Sequence, residues 1–199
     1  MPGAVAPTHD ALGLVELDSI ACGYRVLDAL VKRSPVEVLE ANLVEPGKYL
    51  ILFAGSVAAV DEAFEEAVSV AGSSCLDRLN LPLVHEDILP ALAGEERVGD
   101  PDTVGIVEGR AVSATIVACD RALKEADVVL AGLRITPALG GKAYFVIEGA
   151  QYDVQEGLER AKSVLNEAGQ LMRVECIAAP HPDFVAHILT PAPFRLERT

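Results

Sequence analysis

Two lysines in this sequence follow a glycine and precede an apolar run, in "EPGKYLILFAG" (45–55) and again in "LGGKAYFVIEG" (139–149). Gly-Lys of this kind holds phosphate in a P-loop, where an earlier glycine five residues back and a following Ser or Thr complete the cradle and the magnesium site. Here Lys48 is followed by Tyr49 and Lys142 by Ala143, and Asn42 and Thr136 occupy the places of the earlier glycine. A β-favouring run also follows each lysine, so there is no helix N-terminus to attract an anion. The spacing excludes a phosphate cradle and predicts hairpin turns, in which glycine permits the bend and the lysine starts a strand. The other reactive side chains are dispersed. Cys22, Cys75, Cys119 and Cys176 contain no C-x-x-C pair, and His9, His85, His181 and His187 contain no ligand spacing. The cysteines read as buried free thiols, His85 and His181 as helix-starting or core residues, and no metal site is expected. Glu16 and Glu108 recur at matching places, as a buried polar or inter-domain contact would.

Composition restricts the partners. The 199 residues are 51% hydrophobic and 23% charged, which suits a well-buried globular chain. A net charge of -14 argues against nucleic acid, whose binding rests on Lys and Arg neutralising phosphates. The first ten residues have neither a basic nor an apolar leader region, and no apolar stretch is long enough to span a bilayer. No membrane association is expected, and the cytosol is the expected location.

The elements that position these residues occur twice. "LGLVELDSIACGYRVLDALVK" (12–32) lies over "VGIVEGRAVSATIVACDRALK" (104–124), matching Gly13 with Gly105, Glu16 with Glu108, Asp28 with Asp120 and Lys32 with Lys124 at a separation of 92. Lys48 and Lys142 then match 94 apart, and His85 and His181 match 96 apart, so insertions fall between elements. In the first unit "ALGLVEL", "PVEVLEANLV", "KYLILFA" and "CLDRLNL" read as strands. One helix is capped by Ser19, a second starts at Gly55-Ser56, and "HEDILPAL" closes the unit as a short helix. The second unit repeats the order: strand 103–109, helix 111–125, strands 127–135 and 142–148, helix 150–168, strand 171–177 and short helix 181–189. The doubled order implies two antiparallel sheets with helices, an α+β chain of two domains at 11–92 and 103–189. A polar linker, 93–102, joins them, and tails lie at 1–10 and 190–199.

The pattern "ALGLVEL..IA.G...LDA.VK...V.....LVEPGKYLILFAGSVAAV..A" resembles the shell domain of bacterial microcompartments, the BMC domain, and residues from about 11 to 189 resemble its tandem form. The single-layer group of tandem-domain trimeric shell proteins is the most similar in element order. The resemblance implies a fold of two ferredoxin-like BMC domains, each a four-stranded antiparallel sheet with helices. It further implies a pseudohexameric homotrimer that tiles with hexameric and pentameric shell proteins and has no enzymatic activity. The turn between the second and third strands of each domain would line a central pore for small metabolites. Glu45, Pro46 and Gly47 match that turn in the first domain, and Thr136, Pro137, Ala138, Leu139, Gly140 and Gly141 match it in the second. A ring of Glu45 would disfavour anions and admit cations or neutral solutes.

Relatives that carry an iron-sulfur cluster have Cys where this chain has Glu45, so no cofactor is expected. Lys32 and Lys124 match the lysine at the tile edge, whereas Leu83 and Ala179 stand where many members carry an arginine. Two other readings stay open from the sequence: a pore-centred metal or iron-sulfur electron-transfer trimer, and a ferredoxin-like small-molecule sensor or enzyme with its site between the units.

Overall fold

The computed structural model describes residues 9–95, 97, 99, 101–135, 140–185, 187 and 188. The chain divides into two compact units, the first ending at Val84 and the second beginning at His85.

The first unit contains β1 (Ala11–Leu17), α1 (Ile20–Arg33), β2 (Glu37–Val44), β3 (Lys48–Gly55), α2 (Val57–Ala71) and β4 (Cys75–Pro82). Its four strands are antiparallel in the order β2-β3-β1-β4. Ser19 and Ser56 cap the two helices, their hydroxyls accepting the N–H of Cys22 and Ala59, each at 3.3 Å. Val15, Leu17, Tyr49, Ile51 and Phe53 turn one face of the sheet onto Val26 and Leu30 of α1 and Val60, Ala63 and Ala67 of α2. Alternation puts Leu12, Leu14, Leu50 and Leu52 on the other face, and they too are buried. Burial on both faces explains why β1 and β3 read as continuous apolar runs.

The second unit opens with α3 (Ile88–Leu92), then repeats the pattern as β5 (Thr103–Gly109), α4 (Val112–Glu125), β6 (Val129–Ile135), β7 (Ala143–Gly149), α5 (Gln151–Glu167) and β8 (Leu171–Ala178), closing with α6 (Pro182–Val185). Its sheet order is β6-β7-β5-β8, again antiparallel. Both short helices are shorter than the sequence predicts, and each histidine stands outside its helix. The Nδ1 of His85 accepts the Asp87 N–H at 3.3 Å, and the Nδ1 of His181 accepts that of Asp183 at 3.2 Å. Two residues ahead of these histidines the backbone turns left-handed, at Leu83 (φ 52°) and Ala179 (φ 46°). Non-glycine residues rarely adopt such angles, so their recurrence marks a common exit from the last strand of both repeats.

The sequence boundaries put the short helix 88–92 in the first domain. In the structure it packs on β6 and α4 of the second unit.

Candidate functional site

The β2–β3 turn of the first unit is built from Glu45, Pro46 and Gly47, all exposed. The Glu45–Pro46 peptide is cis, Gly47 has φ 92°, and the Gly47 N–H donates to the Val44 carbonyl at 3.1 Å. A positive φ of that size is open to glycine at little cost, which accounts for the residue type. The foot of the turn is fixed electrostatically. The Nζ of Lys48 lies 2.6 Å from Oε1 of Glu16, whose side chain is only 4% exposed against 27% for the lysine. Beside it, Tyr49 is buried against Gly23 of α1, and its ring lies 5.1 Å from that of Tyr24. Burial, with Tyr24 and Glu40 nearby, pushes the Tyr49 phenol above its ordinary value. The turn therefore projects polar atoms from a rigid base and leaves Glu45 as its charged tip.

In the second unit Gly140 (φ 62°) and Gly141 (φ 86°) give the corresponding turn its bend. Thr136, Pro137, Ala138 and Leu139 lie outside the described residues. Lys142 and Glu108 recur in sequence but form no ion pair with each other among the described residues. The two turns are thus held differently, which equal residue types did not reveal.

Lys32 and Lys124 end α1 and α4. Each forms an i,i+4 ion pair, Lys32 with Asp28 at 2.6 Å and Lys124 with Asp120 at 2.7 Å. The first pair is open to solvent. The second is partly covered, and Oδ1 of Asp120 also accepts the His85 backbone N–H at 2.8 Å. That hydrogen bond was not foreseen, since nothing in the spacing of residues 85 and 120 announces it.

No thiol stands in the β2–β3 turn. Cys22 lies in α1, Cys75 opens β4, Cys119 lies in α4 and Cys176 in β8, all as free thiols, but of the four expected to be buried only Cys119 is: Cys22 and Cys75 are half-buried and Cys176 is exposed. Cys119 is fully buried, and that burial pushes its thiol well above its ordinary value. The turn offers one carboxylate per chain and no thiolate, a donor set that does not fit an iron-sulfur cluster. Among the described residues no His, Cys, Asp and Glu group of three or more is placed to hold a metal ion. No described helix is long and apolar enough to cross a membrane.

The BMC domain family matches residues 11–83 and 103–180. The chain belongs to the BMC domain family. It is 38% identical over 171 residues to the bacterial microcompartment shell protein PduT of Citrobacter freundii, covering 86% of this chain and 93% of that one. Among solved structures, a microcompartments protein from Desulfitobacterium hafniense DCB superposes with a TM-score of 0.83 at 34% identity, over 90% of this chain and 99% of the other. The fused permuted hexameric shell protein MSM0275 from the RMM microcompartment shares the fold, with a TM-score of 0.60 at 19% identity, over 79% and 84% of the two chains. Two tandem BMC domains, each with a four-stranded antiparallel sheet and helices, agree with the fold class read from the sequence. The first and the third of these relatives are shell proteins by name.

Proposed function

We infer that this chain is a structural, non-enzymatic shell protein of a bacterial microcompartment. Three copies would supply six BMC domains in a flat tile, with a narrow pore on the three-fold axis for small solutes. The observation that carries the reading is the pairing of two complete BMC domains in one chain with near full-length similarity to a shell protein. In a tile of this kind the exposed turn at Glu45–Gly47 and its counterpart at 136–141 would face the axis, where small residues and sharp bends let several copies approach. Three copies of Glu45 would then alternate with three copies of the glycine-containing turn. Solutes would pass by selective diffusion, with cations and neutral molecules favoured.

Lys32 and Lys124 would meet neighbouring tiles. The purified protein is expected at three times the 21.0 kDa chain mass in solution, and to form sheets seen by electron microscopy, alone or with hexameric shell partners. The paired charge reversal K32E/K124E is expected to abolish sheets and leave the trimer intact. Sheets that persist in this variant would remove the edge assignment, and a monomer in the wild type would remove the tile.

A further inference from the structure

Each sheet ends in an edge strand beside the second long helix of its unit, β4 beside α2 and β8 beside α5, and the two edges differ. In the first unit the gap between helix and strand is bridged, Nδ2 of Asn80 donating to Oδ1 of Asp61 at 2.7 Å. In the second unit Cys176 and Gln155 occupy those places in the repeat, and a groove of about 590 Å3 lies between α5 and β8. Leu158, Leu171, Met172 and Val174 give it apolar walls, and Glu159 and Lys162 line it on the α5 side. β8 pairs with β5, and among the described residues no strand pairs with its other edge. A free strand edge beside an apolar groove can take up a further strand, held by main-chain hydrogen bonds, with alternate side chains entering the groove.

The residues of β8 select a second copy of the same strand as the occupant. In "MRVEC" (172–176) an antiparallel pairing centred on Val174 sets Arg173 of each copy opposite Glu175 of the other, and Met172 opposite Cys176. Arg173 and Glu175 are exposed and 2.6 Å apart within one chain, so they share the strand face turned away from Val174 and the groove. A two-fold axis normal to the sheet keeps the groove faces of both strands on one side, where the two grooves join. The helix obeys the same symmetry. A Cβ at Gly105, which pairs with Cys176, would touch Val154 and Leu158, and one at Gly109, which pairs with Leu171, would touch Leu165. Val174 is therefore level with the middle of that stretch of α5, and an axis there brings Lys162 of one copy toward Glu159 of the other. β4 has no such register: Arg78 takes the place of Val174, and centring on it would set two arginines opposite each other. We propose that β8 pairs antiparallel with β8 of a second copy about a two-fold axis at Val174. The contact is isologous and closes at two chains, so it is separate from the three-fold axis of the tile and would join one trimer to another.

A cysteine at the axis tests the geometry. Residues directly opposite in an antiparallel pair have Cα atoms about 4.5–5.5 Å apart, within the span of a disulfide. With Cys176 replaced by serine, V174C/C176S is expected to join chains in twos and no further under oxidation, and to release them on reduction. I177C/C176S is the control, because that residue lies opposite position 171 and its two copies would be about 20 Å apart. Charge tests the register. Glu175→Arg sets arginine opposite arginine twice and should weaken pairing about tenfold, and the swap R173E/E175R, which restores opposite charges, should recover it. Native mass spectrometry over a dilution series reads the number of chains, expected at six for paired trimers. A three-chain species that never joins another, with V174C/C176S uncross-linked, overturns the pairing and leaves the trimer standing. So does pairing that is indifferent to Glu175→Arg or not recovered by the swap, and so does cross-linking as strong in I177C/C176S. Chains that pair without forming threes support the β8 contact and overturn the trimer.

Discussion

Glu16 and Lys48 show how far one pair of side chains determines the base of the turn. A carboxylate with 4% of its side chain exposed has lost nearly all its water, and the lysine 2.6 Å away is the charge that compensates it. Removing the lysine alone should therefore cost more than removing both charges. Lys48→Met is expected to destabilise the protein by about 3 kcal/mol, at the low end for a broken buried pair because the lysine keeps some contact with water. Glu16→Leu combined with Lys48→Met should recover most of that loss. Urea unfolding of the two variants decides the matter, and equal losses would show that the pair has no special coupling. The residues themselves were visible in the sequence, since both recur in the second repeat. Their contact was not. It depends on the strand pairing that sets Glu16 opposite Leu50, two residues past Lys48, and the repeat misleads because Glu108 and Lys142 form no such bridge. Glu45 and Gly47 were legible for a different reason: a turn between two strong strand patterns must be exposed, and a bend there calls for glycine.

The strands and long helices follow closely from the sequence because their signals are local. Apolar runs of seven or eight residues, bounded by Asp10 and Asp18 for β1 and closed by Gly55 for β3, give the strands, and capping serines fix the starts of α1 and α2. The short helices were legible only as existing. Their histidines stand outside them, with Nδ1 accepting the N–H two residues on, and the unit on which α3 packs is a matter of distant contacts that no local pattern encodes. Close packing between elements is likewise hidden in single residues. A Cβ at Gly23 would lie 2.4 Å from Cδ1 and 2.6 Å from Cγ of Tyr49, atoms near the ring's attachment that cannot swing aside. Alanine is the better helix former by about 1 kcal/mol, so on propensity alone Gly23→Ala would stabilise α1. Overpacking is the larger effect here. The variant is expected to lose roughly 1–3 kcal/mol by thermal or urea unfolding, and a gain in stability would show that α1 can move away from β3 freely.

The largest consequences arise only when copies meet. A single Glu45 on an exposed turn is an ordinary surface carboxylate. Three of them around one axis would form a negative constriction, and a field focused in a narrow passage alters local ion concentration far more than one isolated charge does. Glu45→Lys turns that constriction positive without touching the Glu16–Lys48 base or the apolar core. In shells assembled with this tile as the controlled entry route, an enclosed enzyme acting on an anionic substrate should run about tenfold faster with the variant when entry limits its rate. The same enzyme with a neutral substrate should change little. Raising the salt should shrink the difference, because screening shortens the reach of the ring to a few ångströms. Equal rates for the anionic substrate in both shells, at low salt and with entry limiting, would mean that Glu45 does not line the passage that solutes use.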